Sequence, residues 1–298
     1  MAVTSQLCER IAGTDYENLG EPAIEAARRL VLDGIAIAIA GTEEEAIHIL
    51  AAHHKEQGGA GQATAIGNGF RLNTVSASAL NGAAMHVLDF EPMWSPANHA
   101  LSTTLAGVLA LAEAHGATGR EVLTALVKGV EMQGWIRQAS GQFEASTTRF
   151  HPPGAVGPLG TAVAAGHILK LDPDQLANAV GIAASRAGSL LANAGTMTKS
   201  THCGHASALG LEWRFWPRAA SPLTSRCSKL RKAMCQLFTT MASRSRRCSA
   251  SAARRSVSSS PAMQLRCFLA SSEPISASQP GSSYTRIFPV PLPSAVSS

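Results

Sequence analysis

Residues 73–88 read NTVSASALNGAAMHVL, and this stretch decides the fold class. Asn73 is a helix N-cap residue, and a helix is expected to run from it toward Leu88. Ala77, Ala79, Gly82, Ala83 and Ala84 leave little side chain around that helix, so neighbouring backbones can approach closely. Ala162, Ala164, Ala165 and Gly166 repeat the feature further along. Helices of this kind suit a compact bundle rather than a solenoid, and no fixed-period repeat runs through the chain.

Helix punctuation recurs on both sides of this stretch. Pro22 suits the first turn of a helix through about Ala40, with Gly41 as its stop. Ile24, Ala27, Leu30, Val31, Gly34 and Ile35 give that helix one apolar face. The run EEEAIHILAAHH, residues 43–54, places acids where a helix dipole favours them. Thr118 and Glu121 have the spacing of a capping box, and Asp172-Pro173 reads as an N-cap followed by a first-turn proline. Gln62 to Gly67 is the one short extended candidate. The expected fold class is all-α.

Composition agrees. Hydrophobic residues make up 45%, charged residues 15% and aromatics only 5%, which excludes collagen, coiled coil and highly charged disorder. No apolar run is long enough to cross a membrane: Leu30 to Ala40 is broken by Asp33 and Gly34. The N-terminal MAVTSQLCER lacks the basic and apolar regions of a secretory signal. A reduced, cytoplasmic protein is therefore expected, with the mitochondrion as the alternative in a eukaryote.

The net charge of +5 averages two unlike segments. Residues 1–212 hold 12 Lys+Arg against 19 Asp+Glu, whereas 213–298 hold 13 against the single acid Glu273. All 10 His precede residue 213, and Ser fills 20 of the last 86 positions. The second segment has the composition of an out-of-frame translation and is expected to be disordered. Its competing reading is a basic tail that binds nucleic acid through Arg244-Ser-Arg-Arg247 and Arg254-Arg255.

Three polar stretches interrupt the Ala-rich helices. Residues 85–99, MHVLDFEPMWSPANH, form a loop forced by Pro92 and Pro96 that carries Asp89, Glu91 and His99. RFHPP, residues 149–153, fixes His151 outside any helix. TMTKSTHCGH, residues 196–205, brings Lys199, His202 and His205 together. One acid with several cations and imidazoles suits a polycarboxylate better than a sugar or peptide. His202-x-x-His205 is the rival zinc reading, but HExxH, GxSxG and GxGxxG are all absent. His86 and His167 fall within helical runs and read as satisfied core or surface histidines.

These stretches, together with LVLDGIAIAIAGT (30–42), PANHALS (96–102), RFHPPGAVGPLGTAVAAG (149–166) and ANAGTMTKSTHCGHASALGLE (192–212), resemble the MmgE/PrpD family. The resemblance covers residues 1–212, and its decarboxylase-like branch looks closer. It implies an all-helical main domain, a smaller α/β lid, an active site between them, homodimers, no metal or organic cofactor, and lyase chemistry on a small tricarboxylate. That chemistry is cis-aconitate decarboxylation or 2-methylcitrate dehydration. Asp89, His99, His151 and Lys199 stand at the positions of the family's active-site Asp, two His and Lys. Lys199 and His99 are expected to hold carboxylates, His151 to deliver a proton and Asp89 to orient it, with His202 and Trp94 as further substrate contacts. Two departures stand out. Glu91-Pro92 and Ser95 replace the further acids and His usual after the Asp, and the resemblance ends at Glu212. The family's later His and Tyr have no counterpart beyond Tyr284, so the chain as written is expected to be a truncated, inactive form with the poorly ordered tail in place of the lid.

Overall fold

The computed structural model describes residues 3–140 and 148–213. Expectations for the Ser/Arg-rich segment, its disorder and its nucleic-acid binding included, fall beyond Trp213 and outside the described residues. Among the described residues the chain forms α1 (Val3–Ala12), α2 (Glu21–Gly41), α3 (Glu45–Gln57), β1 (Ala63–Ala65), β2 (Phe70–Leu72), α4 (Thr74–His86), α5 (Ala100–His115), α6 (Gly119–Ser140), α7 (Pro152–Ile168), α8 (Pro173–Arg186) and α9 (Met197–Glu212). The architecture is helical, as the sequence implies. None of these helices is long and apolar enough to cross a membrane.

The helix starts are local chemistry. Asn73 accepts the Ser76 N–H and caps α4. Thr118 and Glu121 bond reciprocally ahead of α6, and Asp172 and Gln175 complete a capping box on α8. The extended candidate is β1, which pairs antiparallel with β2 across the turn containing Gly67 and Gly69. Nothing in the sequence pattern marked β2, whose three residues are too few to show a period.

Helices α4, α5 and α7 are buried almost all round and form the centre; α6, α8 and α9 pack on α7, and α2 packs on α4. The crossing of α4 and α9 is the closest argument for glycine. A Cβ on Gly204 would run into the Ala79 carbonyl oxygen, and one on Gly82 would sit 2.9 Å from the Gly204 Cα. This approach lays the first turns of α9 beside the C-terminal end of α4. Gly41 is the last residue of α2, where the sequence places the end of that helix, and it is small because the Ala84 carbonyl lies where its Cβ would be.

His151 lies outside any helix, as RFHPP implies: it is the N-cap residue of α7 with φ −61° and ψ 119°, and Pro152 and Pro153 open that helix. One expectation changes: residues 197–205 are not a break but the first turns of α9, so Lys199, His202 and His205 ride on a helix.

Candidate active site

Four elements converge on one point. The end of α4 brings His86, and the loop to α5 brings Asp89, Glu91 and His99. The N-cap of α7 brings His151, and α9 brings Lys199, Cys203 and His202. Asp89 has a φ of 55°, a left-handed conformation that Asp tolerates better than most residues and that turns the chain out of α4.

Glu91 lies at the centre. Its side chain is fully buried and accepts hydrogen bonds from the Ser102 backbone N–H (2.8 Å) and the Ser102 hydroxyl (2.7 Å). His86 Nδ1 lies 2.9 Å from Oε1, a hydrogen bond, and His99 Nδ1 lies 3.3 Å from the same oxygen, poorly aligned for a second one. Burial pushes the Glu91 carboxyl up, but His86 and His99 outweigh it and bring it down to about 2. An ionised carboxylate is thus held inside the protein by donors.

The imidazoles pack around it. Ring centroids of His86 and His99 are 4.4 Å apart, of His86 and His151 5.5 Å, and of His151 and His202 5.3 Å. His151 Nδ1 faces His202 Nδ1 at 3.3 Å. Burial, then the charges that His86, His99, His202 and Lys199 would present, lowers His151 to about 3. Burial likewise lowers His86 and His202. Without a ligand, all three are neutral at physiological pH.

At the mouth, Lys199 Nζ bonds both Asp89 oxygens at 2.6 Å. Partial burial pushes the Asp89 carboxyl up, and the Lys199 ammonium pulls it below the usual carboxylate range. Asp89 also lies 3.7 Å from His99 Nε2 and 3.8 Å from His86 Nδ1. The Asp89 side chain is 56% exposed and that of Lys199 19%, so this ion pair is open to exchange with an arriving anion. Phe90, Met93, Leu190 and Met197 are exposed apolar residues, each close in sequence to a site residue or, for Leu190, bridged to Phe150 beside His151.

The structure therefore brings together Asp89, His99, His151, Lys199 and His202. The Trp94 indole lies on Gly134 of α6, and the Trp94 backbone N–H donates to the Asn98 carbonyl, which pins the loop. Sequence reasoning missed His86 and underused Glu91. The available signal was their spacing of five around a helix end, HVLDFE, with Asp89 between. The His202-x-x-His205 zinc reading does not survive, since His202 is buried against His151 while His205 is exposed. His86, His99 and His151 do bring ring nitrogens within 4.8 Å of one another, a proximity that would admit a divalent ion after small rotations. His86, Glu91 and Cys203 form a second such group, but burial pushes the Cys203 thiol well up and keeps it from acting as a thiolate. A separate cavity of about 470 Å³, lined by Ile35, Thr64, Ile66, Asn81, Leu109 and Glu113, has no imidazole or ammonium in its wall and is not where this chemistry lies.

A helical domain that gathers a buried carboxylate, four buried imidazoles and a half-buried ammonium at one point has the groups for acid–base work on an anion. The chain belongs to the MmgE/PrpD family: the MmgE/PrpD N-terminal domain matches residues 5–215. Among curated proteins it is 34% identical to the cis-aconitate decarboxylases of Mus musculus and Homo sapiens over 219 residues, 72% of this chain. It is 29% identical to the cis-aconitate decarboxylase of Aspergillus terreus over 70% of this chain. The match takes in 45% of the Mus musculus protein, so the chain spans about half the length of the curated relatives it matches.

Proposed function

We propose that this site is that of a lyase acting on a small tricarboxylate, with decarboxylation of cis-aconitate as the preferred reaction and dehydration of 2-methylcitrate as the alternative. The observation that carries the reading is the Lys199–Asp89 pair at the mouth of a cluster of neutral imidazoles. A substrate carboxylate would compete with Asp89 for Lys199 and take a second hydrogen bond from His99. Loss of CO₂ from another carboxylate leaves its bonding electron pair on carbon, and one proton must be supplied there to complete the product. His151 is placed to supply it, with Asp89 helping to orient the donor.

A neutral His151 is a far weaker acid than its imidazolium form, so the reading requires the substrate to change its state. Bringing several negative charges beside it raises its proton affinity from about 3 toward neutrality. Substrate binding would therefore take up a proton, which calorimetry in buffers of different ionisation enthalpy detects. Side chains alone carry the proposed chemistry.

The 298-residue chain is expected to show no turnover above background, because orientation and exclusion of water contribute roughly 7–11 kcal/mol of barrier reduction and Asp89 here faces solvent. The test joins residues 1–212 to the C-terminal half of the Mus musculus relative and follows CO₂ release from cis-aconitate and loss of water from 2-methylcitrate. His151→Ala should lower kcat by about 100-fold or more. Unchanged turnover on both substrates would remove the assignment.

A further inference from the structure

We infer that Glu91 is a positioning residue: it holds His86 as the Nδ1–H tautomer and so presents the bare Nε2 of His86 to the site as a proton acceptor. Its use in turnover rests on the lyase reading above; the tautomer does not.

The hydrogen bonds determine the tautomer. Ser102 donates to Glu91 twice, through its backbone N–H to Oε2 and its hydroxyl to Oε1, and both anchors are buried. Glu91 is ionised, so it can only accept. The His86 Nδ1 at 2.9 Å must then carry the hydrogen. His86 is neutral, so its other nitrogen is unprotonated. That nitrogen, Nε2, is buried and has no hydrogen-bond partner among the described residues. The ring packs edge-on to His99 with its centroid 5.5 Å from that of His151, so the imidazole that carries the lone pair lies among the groups that would meet substrate. A buried carboxylate that fixes an imidazole through Nδ1 and leaves Nε2 bare is the arrangement that makes histidine an effective base in hydrolytic triads. His86 then offers the acceptor half of an acid–base pair whose donor half is His151.

The same geometry predicts what Glu91→Gln does. The Ser102 backbone N–H can only donate, so the new amide must turn its oxygen toward it and its NH₂ toward the former Oε1 position. There the NH₂ donates to Ser102 Oγ and to His86 Nδ1. His86 must therefore switch to the Nε2–H tautomer.

Side-chain ¹⁵N NMR of the full chain, with His86 assigned through single-histidine replacements, distinguishes protonated from bare ring nitrogens. The expected result is Nδ1–H in the wild type and Nε2–H in Glu91→Gln. An Nε2–H tautomer in the wild type overturns the proposal even if the variant fails to fold. An unchanged Nδ1–H tautomer in a folded variant also overturns it. Added cis-aconitate should shift the His86 Nε2 signal together with those of His99 and His151. A response of His99 and His151 without His86 removes the acceptor role, whereas silence from all three removes the lyase site itself.

Discussion

Two histidine–lysine arrangements lie among the described residues, and only one gathers the groups that acid–base chemistry needs. Lys128 on α6 lies 3.1 Å from His167 Nδ1 on α7 and donates to the carbonyl of Ala12, at the end of α1, at 3.4 Å. Burial lowers Lys128 to about 8; burial, then the Lys128 charge, lowers His167 to about 4. Among the described residues no carboxylate bonds either group, although the Asp15 charge acts on both, and the pair ties three helices together. At the other cluster the lysine is bonded to Asp89 at the surface, the imidazoles surround an ionised Glu91, and loops as well as helices supply the groups. The same residue types thus serve structure or chemistry according to whether an internal carboxylate organises them and whether one side stays open.

The comparison can be broken most severely at α9, which brings Lys199 and His202 to the site and has no part in the Lys128 pair. Gly204→Val places side chain against the Ala79 carbonyl and the α4 backbone. The expected loss is about 3 kcal/mol or more in chemical denaturation, in the upper range for overpacking. A melt like that of the wild type would mean that the α4–α9 approach is looser than described.

Acid separates the two clusters next. Histidines with folded-state proton affinity below the ordinary value bind fewer protons when folded, so their contribution is complete above about pH 6.5 and is lost as pH falls. For His167 the loss runs from about 6.5 to about 4, and for His151 it continues to about 3. Within these windows each imidazole removes up to about 1.4 kcal/mol per pH unit. Glu91 adds a second loss from 4.5 down to about 2, because its folded value is depressed. Stability measured against pH should therefore fall below about 6.5 and keep falling below about 4, where Glu91 takes over from His167. His151→Gln should flatten the curve below pH 4 more than His167→Gln does; equal effects would contradict the assigned order.

The smallest effect belongs to Lys128→Met. Replacing a buried ammonium that bonds no carboxylate among the described residues with an apolar chain of similar length should change stability by no more than about 1 kcal/mol, in either direction. A loss of several kcal/mol would show that the link to Ala12 and His167 does more than fill space.

Much of this was readable from local sequence. The caps at Asn73, Thr118 and Asp172 lie within three residues of the groups they bond, so their spacing alone reveals them. Asp89, His99, His151 and Lys199 came from polar stretches among alanines and from the family resemblance. What was not legible depends on contacts distant in sequence. Thr196 to His205 read as an interruption because Lys199 and His202 face a polar site and Thr198 and His205 face solvent, which erases the apolar periodicity of a helix. Gly41 was legible as the end of α2, but nothing local reveals Ala84 pressing on it. His86 read as a core histidine, and it is buried; only the partner Glu91, held by Ser102 across the loop, turns it into part of the site.

The direct test of the central claim is the affinity of the full chain for cis-aconitate, measured by NMR titration in the wild type, Lys199→Met and Lys128→Met. The account predicts saturable binding that weakens at least about tenfold in Lys199→Met, as expected for losing charge-assisted hydrogen bonds. It predicts a change within about twofold in Lys128→Met, since that ammonium is sealed between α1, α6 and α7. Equal affinity in the wild type and Lys199→Met, or an equal loss in both variants, would contradict it.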